Sequence, residues 1–179
     1  MATDTRPTVE LSSSSPEATR QLAARLAAVA APGDVLCLWG DLGAGKTVFA
    51  KGFGSGLGIE DTISSPTFVL MGEYVGRLPL FHIDLYRLER AEEALDGGLL
   101  DERQALGVVL VEWPDRLGDT IPVDRLDVEI ESPNGADEPR RIRLTARGGR
   151  HRRYIDAAIL LVDGLPGGTP APAPAPEDR

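Results

Sequence analysis

The sequence has one cysteine, two lysines and no long apolar run. With Cys37 alone, no internal disulfide can form. Its place inside "DVLCLW" marks it as a small buried hydrophobe. No run approaches the roughly 20 apolar residues that a membrane-spanning helix needs. The opening "MATDTRPTVELSSSS" lacks the charged start and apolar core of a secretory signal, so the expected location is cytoplasmic. No NKxD guanine-reading motif occurs, which disfavours a regulatory GTPase. No internal repeat is visible. Positive charge is also short: 28 acidic residues face 19 basic ones, for a net charge of −9. Such a chain repels phosphate backbones, which disfavours autonomous nucleic-acid binding.

What is present suits one α/β domain with a tail. Residues 1–13 read as an extended lead-in, residues 14–164 as the domain, and the Pro/Ala-rich residues 165–179 as a disordered tail. "SSPEATRQLAARLAAVA" predicts a helix, with Ser14 or Ser15 as cap, Pro16 in the first turn and Glu17 near the positive dipole end. A strand Val35–Trp39 follows. The helix that opens near Lys46 carries Gly52, Gly54, Gly56 and Gly58, so it is expected to fray early. Two strands with a turn near Gly76 are expected next, the second of them "PLFHID", and "ERAEEAL" reads as helical. "GVVLVEW" predicts a strand buried on both faces and stopped by Pro114. "RLDVEIES" and "RRIRLTA" predict an antiparallel pair around "PNGADEP", with acidic and basic faces opposed. "HRRYIDAAILLVDGL" predicts a closing helix.

Chemistry concentrates in "GDLGAGKT", Gly40 to Thr47, which fits GxxxxGK(S/T) between a strand and a helix. Glycines let the backbone curl so that the amides around Leu42, Gly43, Ala44 and Gly45 point into one cavity. The helix adds its positive end. Lys46 then reaches the β- and γ-phosphates of a nucleoside triphosphate, and the Thr47 hydroxyl ligates Mg²⁺. Asp41 is a turn residue. Such a site also needs an acid at a neighbouring strand end, and two occur: Asp84 after "LFHI" and Glu112 after "VVLV". One of them could hold the metal while the other orients the attacking water; spacing leaves that division open. His82 points to a structural hydrogen bond rather than catalysis, because phosphoryl transfer does not need imidazole chemistry. Thr67, in the Ser/Pro loop "SSPTF", reads as a turn residue or a γ-phosphate sensor, and Trp113 as core or as a cover for the site. His151 is expected at the surface. Arg147, Arg150, Arg152 and Arg153 lack obvious acidic partners and could touch RNA or an acidic protein face.

"GDLGAGKT", "SPTF", "HIDLYRL" and "VEWP" in this order resemble the TsaE family, over roughly Pro16 to Leu144. The resemblance implies a small P-loop NTPase-like α/β fold with a mixed, partly antiparallel sheet flanked by helices. It implies an ATPase, slow when alone, that uses ATP and Mg²⁺. Its partners would be TsaB and TsaD, the latter transferring a threonylcarbamoyl group to the adenosine at position 37 of ANN-decoding tRNAs. ATP hydrolysis would reset that complex between turnovers, and tRNA would be met only indirectly. Carried onto this chain, Lys46 resembles the phosphate-binding lysine, Thr47 a magnesium ligand and Glu112 the second residue of the magnesium site. Asp84 resembles the acid needed for hydrolysis, Trp113 a residue needed for activity, and Thr19 a position near the nucleotide base. A small-molecule kinase and a nucleotide-gated binding module without significant hydrolysis are the alternatives. The first would need an acceptor pocket, which no further residue constellation marks.

Overall fold

The computed structural model describes residues 6–64, 71–87, 102–132 and 139–163. The helix expected over "ERAEEAL", Thr67 with most of its loop, the turn of "PNGADEP" and the tail lie outside them.

Seven strands form one sheet: β1 (Thr8–Ser13), β2 (Asp34–Trp39), β3 (Met71–Tyr74), β4 (Leu80–Asp84), β5 (Val108–Glu112), β6 (Arg125–Glu131) and β7 (Arg140–Arg147). Their order is β1-β7-β6-β2-β5-β4-β3. The central run β6, β2, β5, β4 is parallel, while β3, β7 and β1 join antiparallel. The expected lead-in is thus a strand of the sheet: β1 pairs along β7 from Thr8↔Thr145 to Ser13↔Arg140.

Alternation sorts the strands onto two faces. Leu36, Leu38, Leu80 and Leu110 pack with helices α1 (Pro16–Leu26), α2 (Lys46–Gly56) and α3 (Arg152–Asp163). Cys37, Ile83, Val109, Val111 and Leu117 form the core of the opposite face. Every residue of β5 is buried, as its unbroken apolar run predicts. In α1, Ser15 is the cap: its hydroxyl accepts from the Ala18 amide at 3.1 Å, a contact of about 1 kcal/mol. Among the described residues, no helix is long and apolar enough to cross a membrane.

Three expectations are corrected. The glycine-rich helix does not fray early; α2 runs through Gly52 and Gly54 to Gly56. The reason is packing. A Cβ at Gly52 would sit 2.6 Å from Arg20 Cα, and one at Gly56 would sit 2.8 Å from Ala24 Cα, so bare glycine lets α2 lie directly on α1. His151 is not at the surface but fully buried. Its Nε2 accepts from the Val35 amide at 3.2 Å and its Nδ1 donates to Asp124 at 2.9 Å. The arginines near it have partners as well. Arg147 pairs with buried Asp127, and Arg153 with Asp34. Arg150 donates to the Gly33 carbonyl at 3.2 Å, and Arg152 lies 3.8 Å from Asp156. Across the hairpin, Arg143 meets Glu129 at 3.0 Å and Arg141 meets Glu131 at 3.7 Å, as the alternating charges predict.

Candidate functional site

The site lies where three adjacent parallel strands end. β2 runs into the glycine loop, and its neighbour β5 ends in Glu112, level with Leu38 of β2. β4 follows, with Asp84 directly beside Glu112. Both acids therefore stand at the carboxyl edge of the sheet beside the loop, where open α/β sheets bind ligands. The loop needs backbone that a side chain resists: φ is 140° at Gly40 and 118° at Gly45.

Lys46 begins α2 with its side chain folded back. Its ammonium donates to the Gly40 carbonyl at 2.6 Å and the Asp41 carbonyl at 2.9 Å. It lies 3.9 Å from the centre of the Trp113 ring, a cation–π contact. Burial lowers its pKa below that of an ordinary lysine, and the fields of Glu112, Asp84, Asp41 and Asp115 partly oppose this. Trp113 is the one non-glycine residue with positive φ (60°) among the described residues. That conformation is rare for a bulky side chain. It turns the ring toward Lys46 and against Tyr86, 5.0 Å away between ring centres.

Thr47 donates its hydroxyl to both carboxylate oxygens of Glu112, at 3.0 and 3.2 Å. Glu112 is 2% exposed and is also 2.8 Å from His82 Nε2. A carboxylate only accepts, so Nε2 carries the proton, and among the described residues Nδ1 has no partner. His82 therefore has the structural hydrogen bond expected of it, and its partner is one of the candidate acids. Asp84 accepts from the Tyr86 amide at 3.0 Å, an Asx turn that fixes its carboxylate at the strand end.

Lys46, Thr47, Asp84, Glu112 and Trp113 thus converge on the loop formed by Leu42, Gly43, Ala44 and Gly45. Leu42 is exposed at its tip. Thr19 has different surroundings. It is fully buried, 2.7 Å from the Ser13 hydroxyl, and its own hydroxyl donates to the Ser15 carbonyl at 3.2 Å. These contacts brace the start of α1. Arg140 escaped the sequence reading. Its nearly buried guanidinium donates from Nε to the Ala44 carbonyl at 3.0 Å, holding the loop from behind. Only the sheet register brings β7 to the loop, and no local motif announces that.

Chemically, the loop offers a cradle of amides and one ammonium for an anion. The Thr47 and Glu112 oxygens form a hard donor pair that suits Mg²⁺ rather than a softer metal. Among the described residues, no cluster of three or more His, Cys, Asp or Glu side chains is placed to hold a metal by itself.

Comparison with known proteins points to one family. The family model described as "Threonylcarbamoyl adenosine biosynthesis protein TsaE" matches residues 13–142. The tRNA threonylcarbamoyladenosine biosynthesis protein TsaE of Bacillus subtilis is 47% identical over 142 residues, covering 79% of this chain and 87% of that protein. The protein of the same name from Streptomyces coelicolor is 37% identical over 150 residues, covering 81% and 99%. The crystal structure of Bacillus subtilis YdiB superposes with a TM-score of 0.70 at 36% identity, covering 89% of this chain and 99% of that one. A mixed seven-stranded sheet flanked by helices, of the P-loop-like α/β class, is therefore this chain's fold. With the match spanning most of its length, the chain belongs to the TsaE family.

Proposed function

We propose that this chain is the ATP-hydrolysing subunit of tRNA N6-threonylcarbamoyladenosine biosynthesis, working in the cytoplasm with TsaB and TsaD. The reading rests on family membership and on one observation: Lys46, Thr47, Asp84 and Glu112 meet around a glycine loop at three adjacent strand ends. On binding ATP, Lys46 exchanges the carbonyls of Gly40 and Asp41 for the β- and γ-phosphates, while the amides around Leu42, Gly43, Ala44 and Gly45 cradle them. Thr47 and Glu112 hold Mg²⁺, which when bound neutralises charge on the phosphate oxygens. Asp84 orients the attacking water and accepts its proton. Trp113 covers the lysine side and keeps bulk water out. Hydrolysis resets the TsaB–TsaD complex between turnovers, and with a net charge of −9 the chain meets tRNA chiefly through those partners.

The test is co-purification with TsaB and TsaD, with and without ATP, followed by a hydrolysis assay. Lys46→Ala is expected to abolish ATP binding. Asp84→Ala is expected to spare binding and lower turnover by at least about 100-fold. Turnover that ignores TsaB and TsaD, together with no association, would overturn the proposal. Phosphorylation of an added small-molecule acceptor would favour a kinase instead.

A further inference from the structure

A second candidate site lies at the other end of the sheet. Arg125 starts β6 level with Val35 of β2, because Leu126 pairs with Leu36. Gly40 lies five residues further along the chain, so at strand rise the two are separated by roughly 15 Å. Here an open cleft of about 580 Å³ runs between Arg6, Val123, Arg125, Arg147, Gly148 and Arg152.

Its floor carries unusual charge. Arg125 and Arg147 are paired across the β6–β7 hairpin and share one carboxylate, Asp127, which is 1% exposed and also accepts from the Trp39 indole at 3.0 Å. Arg147 uses only its Nε on Asp127. Among the described residues its two Nη groups have no protein acceptor, although its side chain is only 30% exposed. A half-sunk guanidinium thus presents its outer fork to the cleft. Arg152 stands at the rim with only a long contact to Asp156. Counting the neighbouring acids Asp119, Asp124, Asp127 and Asp156, four guanidinium groups balance four carboxylates, so this cleft escapes the negative excess of a strongly acidic chain. Ile121 and Val123 line the same cleft, and Val123 is 87% exposed. An arginine fork beside apolar side chains matches a phosphate joined to a flat ring system.

We propose that this cleft binds a nucleotide unit through its phosphate, at a site separate from the glycine loop. Arg147 takes the phosphate oxygens by its Nη fork, Arg6 and Arg152 add field from the rim, and the base lies against Val123. The unit could come from a free nucleotide or from an RNA strand, since both offer the same chemistry. The proposal does not rest on ATP hydrolysis by the chain.

The experiment measures anisotropy of a fluorescein-labelled single-stranded RNA with the full chain at low salt, and displacement by AMP. Wild type and Lys46→Ala are expected to bind alike. The exposed pair Arg6→Glu with Arg152→Glu is expected to weaken binding at least about tenfold, and Arg147→Lys, which keeps the charge but loses the fork, to weaken it by about as much. Melting curves show that the variants remain folded. AMP that displaces the RNA identifies a free nucleotide as the ligand; AMP that does not, with RNA still bound, identifies a strand. Binding unchanged in the double variant, binding lost in Lys46→Ala, or no binding of either probe overturns the proposal.

Discussion

His82 and Glu112, on neighbouring parallel strands, meet through a 2.8 Å hydrogen bond with both side chains buried. The imidazole thereby fixes the carboxylate that Thr47 also engages. A group that orients a metal ligand typically matters 10- to 100-fold to metal affinity or activity. His82→Leu should therefore raise the Mg²⁺ concentration required for ATP hydrolysis by roughly that factor while leaving nucleotide affinity without metal nearly unchanged. Magnesium titrations of the wild type and His82→Leu check this. An unchanged requirement would make the bond purely structural.

Gly52 and Gly56 predict a reversed sign. In an ordinary helix, Gly→Ala stabilises by about 0.5–1 kcal/mol. Here the new methyl would enter the backbone of α1 at Arg20 or Ala24. Gly52→Ala and Gly56→Ala should each destabilise by about 1–3 kcal/mol, the usual cost of overpacking. Urea unfolding midpoints decide it, and a stabilised variant would refute the close approach.

His151 predicts a pH dependence. Burial lowers its pKa in the folded chain, with Asp124 and Asp34 pulling the other way. The unfolded chain binds the proton more readily, so this contribution is complete above the unfolded value of about 6.5 and is lost as pH falls below it. One such group gives a slope of at most about 1.4 kcal/mol per pH unit. Unfolding midpoints between pH 8 and pH 5 should fall more steeply for the wild type than for His151→Gln. Parallel curves would show that His151 does not carry the effect.

Cys37 predicts chemical silence. Burial, aided by the Asp127 charge, pushes its thiol up to about 12, so at neutral pH almost no thiolate exists to react. The folded protein should resist a thiol reagent such as DTNB and the urea-unfolded protein should react with one equivalent, since no other cysteine is present. Rapid labelling of the folded form would contradict the packing around β2.

Patterns confined to a few residues were legible in the sequence. The glycine loop, the two strand-end acids, the buried run of β5 and the charge-paired hairpin all rest on local periodicity or turn chemistry, and the structure has each of them. What escaped depends on residues far apart in the chain. His151 looks exposed among arginines, yet Val35, 116 residues away, receives its ring. Arg140 gains its place behind Ala44 only when β7 takes its position in the sheet. The glycines of α2 look like weakness until α1 is set against them.

The pairing of β1 with β7 ties the first strand to the last. During synthesis, Thr8 to Ser13 must wait until Arg140 to Arg147 have left the ribosome. At about 5–20 residues per second that wait is on the order of ten seconds. The emerging chain can assemble β2 with its parallel neighbours in the meantime, but β1 lacks its sheet partner until β7 has emerged.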